Sequence, residues 1–405
     1  MVELAKRMET MKRSADVIRK VFSSMTDPRM ISFGGGAPAK EALPVEIVRD
    51  ICNDLMVRGG LGEEALQYSD PQGIFELREV ICRELLEPKG VAAQPSQVLV
   101  TTGGLETMNL ICQIYINPGD VILVESPTFV HCVEIFEMFE AKCVAVETDD
   151  DGMVIDDVIN KINAYHPKMI YVVPTFQNPT GKTLPADRRE KLAQLASAND
   201  LIILEDDPYR DIRYSGQELP PIKSFDTTGH TILAGSFSKI FSPGCRLGYV
   251  VATEAVTKLF YQVQTATISH TSTLTQMICA QFFKRGYYPA HHESICSLYK
   301  ERRDILIDCI DRYFPEGTKH TFPDGGLFVW VEVPDVIDTT DLLPEANRRL
   351  VSYVPGEGFY SEGGGKGRHA MRVSFSGVTP RNICKGMKIL GELLQEKVKE
   401  AQSIH

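Results

Sequence analysis

The chain has 405 residues, with 43 Lys and Arg against 54 Asp and Glu, a formal net charge of −11. Hydrophobic residues make up 43% and charged residues 24%, enough apolar material for a large core, so wholesale disorder is excluded. An acidic balance argues against a dedicated nucleic-acid binder, which carries a basic surface.

The N-terminal stretch, MVELAKRMETMKRSADVIRKVFSSM, lacks the continuous apolar run of a secretory signal. It reads as an amphipathic helix with Val17, Ile18, Val21 and Phe22 near one face. No run of about 18 apolar residues occurs, so no membrane-spanning helix is expected. The ten cysteines are scattered, form no C-x-x-C, and have no His pair to complement them for a metal. They read as reduced core thiols in a cytoplasm.

Farther along, short apolar runs alternate with helical ones. Val98–Thr102 is a candidate strand ending at Gly103-Gly104, and Leu105–Ile116 follows with helical spacing. Val121–Glu125, Met169–Pro174, Leu201–Asp206, Thr231–Ala234 and Gly248–Ala252 are further strand candidates, with helical stretches such as Arg188–Asn199 between several of them. Nearly continuous Val, Ile and Leu runs suit strands covered on both faces. The order predicts an α/β fold: a three-layer unit built on a mostly parallel sheet. From about residue 276 the pattern changes to a long helix through Tyr299–Tyr313, then strands at Gly326–Val333 and Ala370–Ser376 of a smaller α+β unit. The expected division is an arm over 1–30 packing with the small domain, a large domain over 31–275 and a small domain over 276–405. Gly363-Gly364-Gly365 reads as a loop tip.

Three clusters carry chemistry, each at a predicted strand end. Gly235-Ser236-Phe237-Ser238-Lys239 places a lysine just beyond a strand, with Arg246 seven residues later. A lysine that bonds to a carbonyl-bearing cofactor needs such a rigid mounting. Hydroxyls and a guanidinium beside it suit a dianionic phosphate. Glu205-Asp206-Asp207-Pro208-Tyr209 closes another strand. Asp206 can pair with a protonated ring nitrogen while Tyr209 donates to a phenolic oxygen; the same string also reads as a helix N-cap and surface turn. Asn178-Pro179-Thr180-Gly181 is a plain turn signal that also sets an amide at a third strand end. Ligands of open α/β sheets bind beyond the carboxyl ends of the strands, so the three clusters can converge.

The strings N-P-T-G, D-D-x-Y and S-x-S-K, followed by Arg372-Val-Ser-Phe-Ser376, stand in an order that resembles fold-type-I pyridoxal-phosphate aminotransferases of classes I and II. The likeness is greatest to the kynurenine/α-aminoadipate and aromatic/branched-chain group, and runs from Ile31 to about Ser376. It implies the aspartate-aminotransferase-like architecture, with a seven-stranded sheet in the large domain.

That resemblance implies pyridoxal 5′-phosphate as cofactor, with Lys239 as covalent anchor and then general acid/base. It assigns Asp206 to the ring nitrogen, Asn178 and Tyr209 to the phenolic oxygen, and Ser236, Ser238 and Arg246 to the phosphate. Gly103, Gly104 and Leu105 would add backbone N–H groups at a helix N-terminus. Here the chain departs from the family, which has Gly-Ser-Gln or Gly-Ala at this turn; Gly104 and Leu105 supply no side-chain donor. Phe129 matches the aromatic that stacks on the pyridine ring, where many relatives have Tyr. Tyr68 matches a tyrosine that reaches a neighbouring subunit's phosphate, which implies a homodimer with a shared active site. Arg372 matches the arginine that grips the substrate α-carboxylate, with Gly36 beside it and Arg19 near a side-chain pocket. The substrates implied are amino acids and 2-oxo acids.

The implied reaction is ping-pong transamination between an L-amino acid and a 2-oxo acid such as 2-oxoglutarate. A pyridoxal-phosphate β-lyase would carry the same cofactor motifs. A non-catalytic ligand sensor with this domain carries a winged helix upstream, for which the 33 residues before Gly34 are too few.

Overall fold

The computed structural model describes residues 2, 3, 5, 7–10, 27–57 and 59–403. The strands in chain order are β1 (Ile31–Ser32), β2 (Val98–Thr101), β3 (Val121–Glu125), β4 (Lys142–Val146), β5 (Thr148–Asp149), β6 (Gly152–Met153), β7 (Met169–Val172), β8 (Ile202–Asp206), β9 (Thr231–Ser236), β10 (Gly248–Val251), β11 (Lys319–His320), β12 (Phe328–Glu332), β13 (Val351–Ser352), β14 (Val354–Pro355) and β15 (Ala370–Ser374).

Seven of them form one sheet in the order β2-β10-β9-β8-β7-β3-β4. All neighbours run parallel except β10, which is antiparallel to both β2 and β9. Alternate residues of the central strands enter two separate apolar layers. Ile122, Val124, Met169, Tyr171 and Leu204 join one, with Met108 and Phe136 from helices Gly104–Tyr115 and Val130–Met138. Leu123, Ile170, Val172 and Ile203 join the other, with Val158 and Leu192 from helices Ile155–Tyr165 and Ala186–Asn199. Both faces are therefore dry, which is why these strands read as unbroken apolar runs.

The expected strands at 98, 121, 169, 201, 231 and 248 are all present, with ends moved by at most two residues. β4 had no counterpart in the sequence reading. It is the edge strand, opens on exposed Lys142, and its middle is only partly buried, so its apolar signal is weak. The long helix begins at Tyr288 rather than 299, with Pro289 in its first turn, where proline costs no hydrogen bond.

A second, antiparallel sheet has the order β11-β12-β15-β14. Helices Tyr288–Tyr313 and Pro380–Gln402 pack together beside it. The chain at Ile31–Ser32 pairs in parallel with β13, and Ser374 N–H donates to Phe33 O, so the segment Gly34–Gly36 is laid along β15. The turn Arg7–Thr10 contacts helix Val130–Met138. Arg19 and the stretch Val17–Phe22 lie outside the described residues. Among the described residues no helix is long and apolar enough to cross a membrane.

Candidate active site

The three clusters picked out by sequence meet where the carboxyl ends of β7, β8 and β9 face β15. Lys239 lies three residues past the end of β9 and is partly buried. Its Nζ donates to Gly36 O over 2.8 Å and sits 5.9 Å from the centre of the Tyr209 ring. Burial lowers its pKa to about 8, helped by the positive charges of Arg372 and Arg246. A Cβ on Gly36 would fall 2.8 Å from Phe328 Cζ, so only glycine lets this backbone come close enough to receive the lysine.

Asp206 is the last residue of β8 and is buried. Its Oδ2 accepts a hydrogen bond of 2.8 Å from the Tyr171 hydroxyl. Burial pushes its carboxyl up to about 7; the Tyr171 bond pulls down against this, and the Asp207 charge pushes up. Tyr209, three residues on, is buried edge-on to Phe328, with ring centres 5.6 Å apart, and burial raises its phenol above the ordinary value. Asn178 Nδ2 lies 3.5 Å from the Tyr209 hydroxyl, at the limit of a hydrogen bond.

Arg372 comes from the other sheet. Its Nη1 donates to Asn178 Oδ1 at 2.8 Å and its Nη2 to Gly34 O at 2.6 Å. The guanidinium is centred 4.4 Å from the Phe328 ring and 5.0 Å from the Phe359 ring. Burial lowers its pKa to about 10, and its Nε is buried without a hydrogen-bond partner. Removing a guanidinium from water without an anion is costly, so an orphaned donor here fits a carboxylate ligand.

Among the phosphate candidates, Arg246 is close enough for its charge to act on Lys239. Gly103, at φ +88°, caps helix Gly104–Tyr115, and a Cβ there would lie 2.5 Å from Arg246 Nη2. The helix N-terminus and the guanidinium are therefore in contact. Arg246 is exposed and holds a φ of +52°, a left-handed conformation uncommon for arginine. Ser236 Oγ accepts from the N–H of Ser238, which folds the Ser-Phe-Ser turn toward the strand end. Gly104 has open space where a Cβ would stand, and Leu105 is exposed. The cradle thus offers a helix N-terminus, an arginine and two hydroxyls, a donor set suited to a dianionic phosphate.

Phe129 caps helix Val130–Met138, and the neighbouring Thr128 N–H donates to Phe359 O, which ties it to the arginine's wall. Tyr68 does not join these residues within the chain: it is 81% exposed, with only its ring edge against His270. Sequence reasoning missed Tyr171, Phe328, Phe359 and Gln177. Gln177 donates to Pro127 O and accepts from Thr180 N–H and Oγ1–H, and so pins the Asn178 turn. The available signal for Tyr171 was a phenol inside an apolar strand, since a buried phenol needs a partner.

The family model for aminotransferase class I and II matches residues 29–390. The chain belongs to that family. It is 36% identical over 392 residues to an aromatic-amino-acid aminotransferase of Thermococcus litoralis, covering 95% of this chain and 93% of that one. Among solved structures, a kynurenine aminotransferase of Pyrococcus horikoshii, in complex with PMP, superposes with a TM-score of 0.92 at 34% identity, over 97% of both chains. An α-aminoadipate aminotransferase of Thermus thermophilus, complexed with N-(5′-phosphopyridoxyl)-L-leucine, gives a TM-score of 0.89 at 28% identity over 98% of both. This aminotransferase therefore has the fold-type-I architecture that the motifs implied.

Proposed function

We infer that the protein uses pyridoxal 5′-phosphate to move an amino group from an L-amino acid to a 2-oxo acid. The observation that carries this reading is the Lys239 amine, bonded to Gly36 O and lowered to about 8 by burial and by the charges of Arg372 and Arg246. The cofactor-bound relatives support it.

When bound, the cofactor supplies an electron sink that stabilises negative charge at the substrate α-carbon. The chain's residues do the rest. Gly103, Gly104, Leu105, Ser236, Ser238 and Arg246 hold the phosphate, and Asp206 holds the ring nitrogen. Asn178 and Tyr209 hydrogen-bond the phenolic oxygen, and Phe129 covers the ring. Arg372 turns its fork from Asn178 and Gly34 onto the α-carboxylate, with Gly36 alongside. Lys239 would hold the cofactor through Nζ, and the same amine, once free and neutral, would serve as the base that takes the substrate α-proton and the acid that gives it back. An amine of pKa about 8 is neutral in a useful fraction near neutrality and can act as base and then as acid.

The names of the relatives point to aromatic, kynurenine or aminoadipate donors; a branched-chain donor and 2-oxoglutarate as acceptor are our own additions to that reading. Arg19 is our candidate for the side-chain pocket. Residues 276–405 form the proposed small domain that closes on the large domain over 31–275; the arm over 1–30 was expected to join it, but its turn Arg7–Thr10 contacts helix Val130–Met138 of the large domain. Exposed Tyr68 fits a second subunit's site, which makes the working unit a homodimer. Ten unpaired thiols suit a cytoplasmic setting.

A donor panel with 2-oxoglutarate tests the reading. Glutamate should form together with the donor's own 2-oxo acid. Release of pyruvate and ammonia without an acceptor would establish a lyase instead.

A further inference from the structure

Tyr171 lies in β7 with its side chain wholly out of solvent. It pairs with Leu204 of β8, and residues two apart on a strand share a face. Asp206 is two beyond Leu204, so phenol and carboxylate emerge on the same face of adjacent strands. There the Tyr171 O–H donates to Asp206 Oδ2. Behind it, Phe136 of helix Val130–Met138 packs edge-on to the ring at 5.3 Å. A phenol can accept one hydrogen bond while donating another. The phenol has a single proton, and the geometry gives it to Asp206. Asp206 Oδ1 makes no hydrogen bond among the described residues.

We propose that Tyr171 is a positioning residue: its O–H holds Asp206 ionised by one oxygen and leaves the other for the cofactor's ring nitrogen, so that the proton shared between them resides on the ring. This rests on the cofactor reading given above. A carboxylate so deeply buried is driven toward its neutral form, and Tyr171 is the contact that opposes this. A neutral acid holds the nitrogen by an ordinary hydrogen bond. An ionised one holds a protonated nitrogen by a charge-assisted bond, which is the stronger.

The test compares pyridoxal phosphate with its 1-deaza analogue, in which carbon replaces the ring nitrogen. Equilibrium binding is measured on cofactor-free wild-type protein and Tyr171→Phe. The variant should lose on the order of ten- to a hundredfold in affinity for pyridoxal phosphate, and little for the analogue. Equal loss for both would mean a merely structural role and would overturn the proposal, as would no loss for either. Infrared titration of the cofactor-free protein gives a readout independent of binding. The carboxyl band absent from Asp206→Asn should titrate at higher pH in Tyr171→Phe; an unmoved midpoint contradicts the proposal. Should Tyr171→Phe fail to fold, Phe136→Leu, which loosens the packing of the phenol ring, is measured the same way, with a smaller but still selective loss expected and an unselective one contradicting. If the wild-type protein binds no pyridoxal phosphate, the cofactor reading falls and the proposal with it; the other negative outcomes remove the proposal alone.

Discussion

Two guanidinium groups, those of Arg372 and Arg246, act on the Lys239 amine in a protein whose total charge is −11. Burial first, then the two guanidinium charges, bring the lysine to about 8 from an ordinary value above 10. Its proton is thus lost as pH rises through about 8, and only the neutral amine attacks a carbonyl. Uptake of pyridoxal phosphate by the cofactor-free protein should therefore accelerate across that range and level off above it in stopped-flow absorbance. Arg372→Met removes one repelling charge, so the midpoint should move to higher pH. An unmoved midpoint would mean that the Arg372 charge does not act on the lysine. Lys239, Asp206, Asn178 and Tyr209 were legible because each sits in a short, mostly polar string closing an apolar run; Arg372 lies inside a strand and was picked out by the resemblance alone. Tyr171 was not, because inside Met169–Pro174 its ring reads as core and its hydroxyl finds a partner on the neighbouring strand. Gly36 shows the converse: its string was visible, but the Phe328 ring that demands a glycine lies far along the chain.

At the level of elements, strand ends deliver the chemistry and the residues behind them hold the ends still. The carboxylate of Glu205, directly before Asp206, accepts the N–H groups of Ile222 and Lys223 at 2.8 Å each. Asp207, directly after, is ion-paired with Arg210, and all three of these charged side chains are buried. Arg210→Met leaves two buried carboxylates short of their cation, which should cost about 3–5 kcal/mol of stability. Denaturant unfolding checks this, and a loss below about 1 kcal/mol would show that water repays the missing charge. The seven-stranded sheet could be read because a strand covered on both faces is apolar at every position. β4 escaped because an edge strand is covered less, and the reversal of β10 escaped because direction is a property of connections, which leave no mark in a run of Gly-Tyr-Val-Val.

Across the whole molecule, β15 and the segment Gly34–Gly36 bring Arg372 from one sheet to Asn178 at the end of the other. Any relative movement of the two sheets would act directly on the proposed carboxylate grip. Tyr68 is exposed, and in the proposed homodimer it would complete the site of a second copy. Mixing Tyr68→Ala with Lys239→Ala subunits under exchange conditions should restore activity above that of either variant, because hybrid dimers carry one intact site. No recovery, with exchange verified by mass, would place Tyr68 outside the site. The most direct measurement is borohydride reduction of the cofactor-loaded protein followed by peptide mass mapping. The expected result is a pyridoxyl adduct on the peptide bearing Lys239, and its disappearance when the protein is first treated with an amino donor and no acceptor. An adduct on another lysine, or one on Lys239 that the donor leaves unchanged, would contradict the assignment.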